Sequence, residues 1–244
     1  YPNVYDFTNT FDLSVFAPDY IFMASPYEGL RPLVGTRARD LARIAKLCYV
    51  AYGTQGLKFF IYSETMMPEF FSHLSFYFCE EEKSAMEAAY PLTVNAGVQH
   101  FVDIGYPGFE PYLNTPHEER VMRKVLWMPR WNTEERIGGS HFFAFKDAFL
   151  AFAEKYSRAG IQFVIRPHPL MFDNFVQKGQ MTEQEVRDYK AQLEMCGVTL
   201  DEGLFAAEEA LRAADILLTD FSSLNMPFFL LERPMIYCPN DSEP

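Results

Sequence analysis

Residues 213–223, Ala213-Ala-Asp-Ile-Leu-Leu-Thr-Asp-Phe-Ser-Ser223, carry the junction that decides how this chain folds. The apolar run 216–218 sits between Asp215 and Thr219-Asp220, the pattern of a short buried strand ending in polar residues. Ser222 and Ser223 then precede the apolar segment 224–231, where a helix N-cap belongs. A strand that passes through hydroxyl residues into a helix directs free N–H groups and the positive helix end at one point. That arrangement suits a phosphate or diphosphate. In open α/β sheets such a point lies at the carboxyl ends of the strands.

Outward from this junction, strand and helix patterns alternate. The first series predicts a strand at 19–24, a helix at 36–46 and a buried strand at 47–51 that closes in Tyr52-Gly53-Thr54-Gln55-Gly56. It continues with a strand at 76–79, a helix at 82–90 and a strand at 101–104 ending in Gly105-Tyr106-Pro107-Gly108. Residues 110–119, with Pro111 and Pro116, read as a linker. The second series has a strand at 125–128, a strongly aromatic helix at 141–156 and a strand at 162–165 running into Arg166-Pro167-His168-Pro169. A charged helix at 182–195, a strand at 198–200, a helix at 204–213 and strands at 216–218 and 235–238 follow. Alternation of this kind implies βαβ units and parallel sheets. The expected fold is therefore α/β, with two Rossmann-like domains: 1–112, a linker at 113–124, and 125–244. Because the chain opens on Tyr1 and stops just after a strand, both domains are expected to be incomplete, parts of a longer protein truncated at both ends.

Composition narrows the function classes. Of 244 residues, 49% are apolar and 16% aromatic, enough to fill two cores. The net charge of −12 argues against a nucleic-acid partner, which needs clustered Lys and Arg, and against docking of this segment on anionic lipid through a basic patch. Cys48, Cys79, Cys196 and Cys238 are far apart and lack Cys-x-x-Cys spacing, so they are expected as free thiols in a reducing compartment. No apolar run is long enough to span a membrane as a helix.

The chemistry concentrates at strand ends. In Arg166-Pro167-His168-Pro169 two prolines stiffen the turn, so that Arg166 and His168 project at fixed angles towards a diphosphate or a leaving phosphate. The same turn could equally be a rigid bend with a surface histidine. Asp220 could cap the next helix through purely local bonds. Tyr52-Gly53-Thr54 could bring backbone N–H groups to a substrate or be a tight turn only. Asp241 and Glu243 stand near the chain end and could simply be solvated. His73, His100, His117 and His141 show no metal-ligand spacing and read as structural. Phe142, Phe143, Phe145, Phe149 and Phe152 read as a helix packing face. There is no Gly-x-Gly-x-x-Gly, no Gly-x-x-x-x-Gly-Lys-Ser/Thr and no Asp-x-Asp. A diphosphate site made of side chains and helix ends, without a metal or organic cofactor, is what the motifs leave.

Taken together, Arg166-Pro-His-Pro169, Ala214-Asp-Ile-Leu-Leu-Thr-Asp-Phe-Ser-Ser223 and Arg233-Pro-Met-Ile-Tyr237 with Asp241 resemble the CDP-glycerol glycerophosphotransferase family, the teichoic-acid primases and polymerases. Val125-Leu-Trp-Met-Pro-Arg-Trp131 is similar to that family's strand ending in Pro-Thr-Trp, and Ile104-Gly-Tyr-Pro-Gly108 to its Gly-x-Pro-Arg segment. The resemblance covers most of the chain beyond about residue 47. It implies a two-domain GT-B fold and a CDP-polyol donor held mainly by the C-terminal domain. It further implies a membrane-anchored glycan or lipid acceptor and a cytoplasmic protein working at the inner face of the cell membrane. By the same resemblance Arg166 and His168 would contact the diphosphate, Thr219, Ser222 and Ser223 would add donors, and Asp220, Asp241 and Glu243 would lie close by. One position departs from the family. Where members carry a His-Gly-Thr loop whose histidine is the proposed base, this chain has Tyr52 before Gly53 and Thr54, and an unperturbed phenol with a pKa near ~10 is a poor base at neutral pH.

The expected activity is transfer of a polyol phosphate from a CDP-linked donor to a cell-envelope glycan or glycolipid. Two alternatives stay open: a GT-B nucleotide-sugar glycosyltransferase or epimerase, and a non-catalytic donor-binding module. The polyol, the acceptor and the oligomeric state are not specified by the sequence.

Overall fold

The computed structural model describes residues 13–31, 35–53, 68–80, 100–113, 115, 121, 123–134, 139–203, 207–220 and 222–238. The chain divides into two compact units, Tyr1–Gly108 and Phe109–Pro244. Each is built on a parallel sheet, so the α/β class and the two Rossmann-like units are both present.

In the first unit the strands β1 (Tyr20–Met23), β2 (Lys46–Val50), β3 (Phe76–Cys79) and β4 (His100–Asp103) pair in that order. Tyr49 anchors the core: its ring meets Phe70 at 5.3 Å, Phe71 at 5.6 Å and Tyr77 at 5.1 Å. Phe70 and Phe71 belong to the short helix α2 (Pro68–Phe71), which delivers both rings to one side of the sheet. The helix expected at 36–46 shrinks to a single turn, α1 (Ala38–Leu41). Lys46 is drawn instead into β2, where it pairs with Tyr20, so pairing with the neighbouring strand overrides helical propensity. The expected helix at 82–90 lies outside the described residues.

The second unit contains β5 (Lys124–Met128), β6 (Gln162–Ile165), β7 (Val198–Leu200), β8 (Ile216–Thr219) and β9 (Met235–Tyr237), in the order β7-β6-β5-β8-β9. Side chains alternate across this sheet as the pleat requires. Trp127, Phe163 and Ile165 face one core, where α4 (Phe142–Tyr156), α5 (Met171–Gln177) and α6 (Glu183–Met195) pack. Leu126, Met128, Val164 and Leu217 face the other, against α7 (Ala207–Ala213) and α8 (Asn225–Phe229). Within the first core Trp127 stacks on Phe142 at 5.8 Å and leans on Phe149 at 4.7 Å. The other aromatic residues of α4 behave differently: Phe145 and Phe152 are exposed along an apolar cavity of about 490 Å³ also walled by Ile216, Leu218 and Ile236. The helix α6 starts where Thr182 and Glu185 form a reciprocal capping box.

The linker reading needs correction at its start. Residues Glu110–Leu113 form a helical turn, α3, whose Tyr112 is buried in the second core. A tyrosine that fills a hydrophobic core has a packing role that a solvated linker lacks.

Strand order fixes where a ligand would meet the second sheet. The chain steps from β5 through β6 to β7, then returns to the far side of β5 and steps from β8 to β9. Crossovers therefore diverge between β5 and β8, leaving a crevice beyond their carboxyl ends.

Candidate functional site

Three segments of the second unit leave the sheet at this edge: residues 129–134 after β5, residues 167–170 after β6, and the stretch that begins with Asp220 after β8. Asp220 is the pin between the first and the third. It is 1% exposed, and its Oδ2 accepts bonds from the Arg130 N–H at 3.0 Å, the Ser140 hydroxyl at 3.1 Å and the His141 N–H at 3.3 Å. Burial pushes its carboxyl upward, against the pull of these donors and of the nearby His141 ring. Its other oxygen, Oδ1, faces His141 Nδ1 at 3.5 Å, and neither atom has a hydrogen-bond partner.

The backbone at Ser140 explains the glycine before it. Ser140 donates its N–H to the Asn132 carbonyl at 2.6 Å, which brings the two ends of the loop together. A Cβ on Gly139 would come within 2.9 Å of the Thr133 carbonyl oxygen, so only glycine passes there without a shift. Ser140 Oγ also accepts the Phe142 N–H at 3.2 Å and so satisfies one free donor of the first turn of α4.

His168 occupies the loop after β6. Its Nδ1 accepts the Leu170 N–H at 3.2 Å, which leaves the imidazole proton on Nε2. Partial burial, then the Arg130 cation, lower its pKa below the ordinary histidine value, so at neutral pH it is an uncharged donor. Its ring leans on Trp131 at 6.0 Å, which fixes its direction. His168, Arg130 and Trp131 thus share one side of the crevice.

The remaining expected donors are placed less openly. The Arg166 guanidinium binds the Asp201 carboxylate at 2.5 Å and donates to the Gly203 carbonyl at 2.7 Å. It holds the ends of β6 and β7 together. Thr219 is fully buried, with its hydroxyl directed at Asn225 Oδ1, 2.7 Å away, and at the Asp220 carbonyl, 3.0 Å away. That hydroxyl locks the turn into α8 and has no proton left for a ligand. The N-cap position of α8 is Leu224, not a serine, and Ser222 Oγ accepts the Leu224 N–H at 3.2 Å. With five residues α8 carries a weaker terminal dipole than a full-length helix. Ser222 and Ser223 are both half-buried at the turn. Asp241, Glu243 and Thr54 lie outside the described residues.

In the first unit Tyr52 and Gly53 stand at the carboxyl end of β2. The Tyr52 hydroxyl lies 3.2 Å from that of Tyr27, and the Tyr106 hydroxyl donates to the Tyr52 carbonyl at 2.8 Å. Gly105 has φ +71°, the left-handed bend that turns Tyr106 back, and a Cβ on Gly108 would strike the Tyr106 ring at 2.5 Å. The Gly-Tyr-Pro-Gly motif therefore holds Tyr106 over the Tyr52 loop. Partial burial, then the bond to Tyr27 and the neighbouring phenols, push the Tyr52 pKa well above that of free tyrosine. A phenol that binds its proton so tightly is no base at neutral pH.

The structure sets Arg130 and Trp131 beside His168, His141 beside Asp220 and Tyr27 beside Tyr52, none of them singled out from the sequence as site residues. The signal for His141 was present: Gly138-Gly139-Ser140 immediately precedes a strong helix pattern after a strand, where a loop folds tightly against a helix N-terminus.

Among the described residues no group of three or more His, Cys, Asp or Glu could hold a metal ion, and no helix is long and apolar enough to cross a membrane. All four cysteines are free thiols.

Comparison with known proteins gives a family match over residues 74–244, to CDP-Glycerol:Poly(glycerophosphate) glycerophosphotransferase. No curated protein matches the chain. Among solved structures, a putative UDP-N-acetylglucosamine 2-epimerase from Listeria monocytogenes is similar with 14% identity over 92% of this chain and 58% of its own, at a TM-score of 0.49. The wall teichoic acid polymerase TagF has 14% identity over 80% of this chain and 49% of its own, at 0.44. The UDP-GlcNAc 2-epimerase from Methanocaldococcus jannaschii has 12% identity over 90% and 61%, at 0.46. The chain thus spans about half to three fifths of the length of these structures.

Proposed function

Because the chain belongs to the CDP-glycerol:poly(glycerophosphate) glycerophosphotransferase family, we propose that it is part of a transferase that moves a polyol phosphate from a CDP-linked donor to a cell-envelope glycan or glycolipid. The observation that carries this reading is His168. It is a neutral imidazole with its proton fixed on Nε2, beside Arg130, at the carboxyl edge of a parallel sheet.

In this reading the donor diphosphate lies in the crevice between β5 and β8. His168 donates from Nε2 to a phosphate oxygen, Arg130 supplies positive charge on the same side, and the Ser222 and Ser223 hydroxyls approach from the β8 turn. Asp220 touches no substrate and positions the β5 loop. The acceptor hydroxyl attacks the β-phosphorus in line, the bond from that phosphorus to the bridging oxygen breaks, CMP leaves with that oxygen, and the hydroxyl proton passes to solvent. Fixed donors around the transferring phosphoryl group accelerate the step through positioning and charge stabilisation. Tyr52 serves as a hydroxyl contact on the acceptor side rather than as the base. A membrane-anchored acceptor, and with it a place at the inner face of the membrane, rests on the family alone.

The test is product analysis on the full-length protein with CDP-glycerol, CDP-ribitol and UDP-sugars. CMP release that His168→Ala abolishes, with an unchanged melting temperature, supports the reading. Normal turnover by His168→Ala overturns the mechanism, and UDP release in place of CMP overturns the donor.

A further inference from the structure

We infer that Asn174, on α5, is a positioning residue for the donor crevice. It ties the loop after β5, which bears Arg130 and Trp131, to the loop after β6, which bears His168, so that both present one fixed geometry to a phosphate. Its catalytic meaning rests on the donor reading; the tie itself does not.

A closed circuit of contacts carries this role. α5 grows directly out of the His168 loop: the Met171 N–H donates to the His168 carbonyl at 2.8 Å, and the Leu170 N–H to His168 Nδ1 at 3.2 Å. The Asn174 N–H then donates to the Leu170 carbonyl at 3.0 Å. His168 and the first turn of α5 are therefore one piece. From that turn Asn174 Nδ2 donates to the Trp131 carbonyl at 2.9 Å, across 43 positions of sequence. An amide that faces a carbonyl must present its nitrogen, so this bond has one sense only. The Trp131 ring, 6.0 Å from the imidazole, closes the circuit back to His168.

Helical spacing explains why Asn174 can reach the loop. Met171, Phe172 and Phe175 are buried and anchor α5 in the core that it shares with α4. Asn174 and Lys178, four residues apart, lie on one neighbouring face. There Lys178 Nζ donates to Asn132 Oδ1 at 2.9 Å, and just beyond the helix Gln180 Nε2 donates to Thr133 Oγ1 at 2.7 Å. The successive loop residues 131, 132 and 133 thus each meet a donor from α5 or its end. Lys178 and Gln180 are exposed, so water competes for their bonds, whereas Asn174 is half-buried and holds the backbone next to Arg130. From the other side Arg130 is held by Asp220, so the chain at Arg130 is fixed from two directions. Partial burial, then the Arg130 charge, lower the His168 pKa, and a β5 loop that swings away would let it rise. A diphosphate gripped from two loops needs both at a set distance, because misplacement by about 1 Å can cost ~10²-fold in rate.

The test is Asn174→Leu in the full-length protein, which keeps the volume, adds no charge and removes the donor. Two quantities are measured: the His168 pKa, by NMR of labelled histidine, and kcat and KM for CMP release from CDP-glycerol. A His168 pKa that rises towards ~6.5, with kcat lowered about tenfold or more and KM changed less, supports the role. A His168 pKa and a kcat equal to those of the wild-type protein overturn it, even with a lower melting temperature, which is all that a purely structural brace would move. A fall in kcat without a change at His168, or a change at His168 without a fall in kcat, overturns it as well. If the wild-type protein releases no CMP from CDP-glycerol, a raised His168 pKa in Asn174→Leu keeps the tie and removes the donor reading, and an unchanged one removes both. Should Asn174→Leu not fold, Asn174→Ala is read in the same way. Failure of both variants to fold makes Asn174 a residue of the fold and overturns the positioning role.

Discussion

Asp220 Oδ2 stands 3.0 Å from the backbone N–H of Arg130, a residue 90 positions earlier in the chain. With the bonds to Ser140 and His141, that one oxygen closes both ends of the β5 loop onto the end of β8. The crevice between the two strands is therefore shaped by a buried carboxylate. The backbone at Arg130 and His141 is anchored by it, and the Arg130 charge in turn conditions His168.

Removing this pin should be costly. Asp220→Ala strands three donors in a buried place, and at ~1–3 kcal/mol for a stranded group, softened by water entering, a total near ~3 kcal/mol is expected. Ser140→Ala removes a single bond and should cost ~1 kcal/mol. Urea denaturation of both variants measures this. Equal and small losses would show that the loop is held by other contacts.

Much of the architecture was legible because buried parallel strands are near-continuous apolar runs. The strands at 76–79, 162–165 and 198–200 have the bounds that the sequence predicts. The capped helix at Glu183–Met195 announces itself through Thr182 and Glu185. The site was less legible. Motif reading names which residues stand at a strand end, but whether a side chain turns to ligand or to protein depends on long-range partners. Arg166 turns to Asp201 and Thr219 to Asn225, and no local pattern encodes either choice. The bond from the His141 N–H to Asp220 spans 79 residues, and nothing local to His141 encodes it either.

His168 should titrate below ~6.5, the ordinary histidine value, because burial and the Arg130 cation disfavour the imidazolium. Arg130→Gln removes the second cause and should raise the pKa, which imidazole NMR reads directly. The sign for stability follows. With a lowered folded pKa the unfolded chain binds more protons, so the contribution of His168 to stability is present above pH ~6.5 and fades as pH falls through it. An unshifted His168 resonance, or one that moves down in Arg130→Gln, would refute the assigned cause.

The Arg166–Asp201 pair should behave as a structural clamp. Arg166 is nearly buried while Asp201 retains 29% of its side-chain surface. Asp201→Ala leaves a buried cation without its carboxylate, and a loss of ~2–3 kcal/mol is expected, below the fully buried range because solvent reaches the site. Arg166→Met, which removes the charge and keeps the stem, should cost less. Nucleotide affinity of Arg166→Met separates the two roles: a retained Kd marks a clamp, whereas a tenfold loss would return Arg166 to the ligand.

Tyr52 offers the sharpest test of the acceptor side. Its phenol is held protonated by partial burial and by Tyr27, and its carbonyl is held by Tyr106. If Tyr52 is only a hydroxyl contact, Tyr52→Phe should lower kcat/KM of the full-length enzyme by no more than ~10-fold, the worth of one neutral hydrogen bond. Its pH–rate profile should keep its shape. A phenol acting as the base would instead cost ~10²–10⁴-fold and erase the alkaline rise. Tyr106→Phe adds a control. It frees the Tyr52 carbonyl without touching the Tyr52 hydroxyl, so its effect should fall on KM through a looser loop and leave kcat nearly unchanged. A kcat collapse in Tyr52→Phe with Tyr106→Phe intact would restore the phenol to the chemistry, and would show that a tyrosine can take the place of the family's histidine.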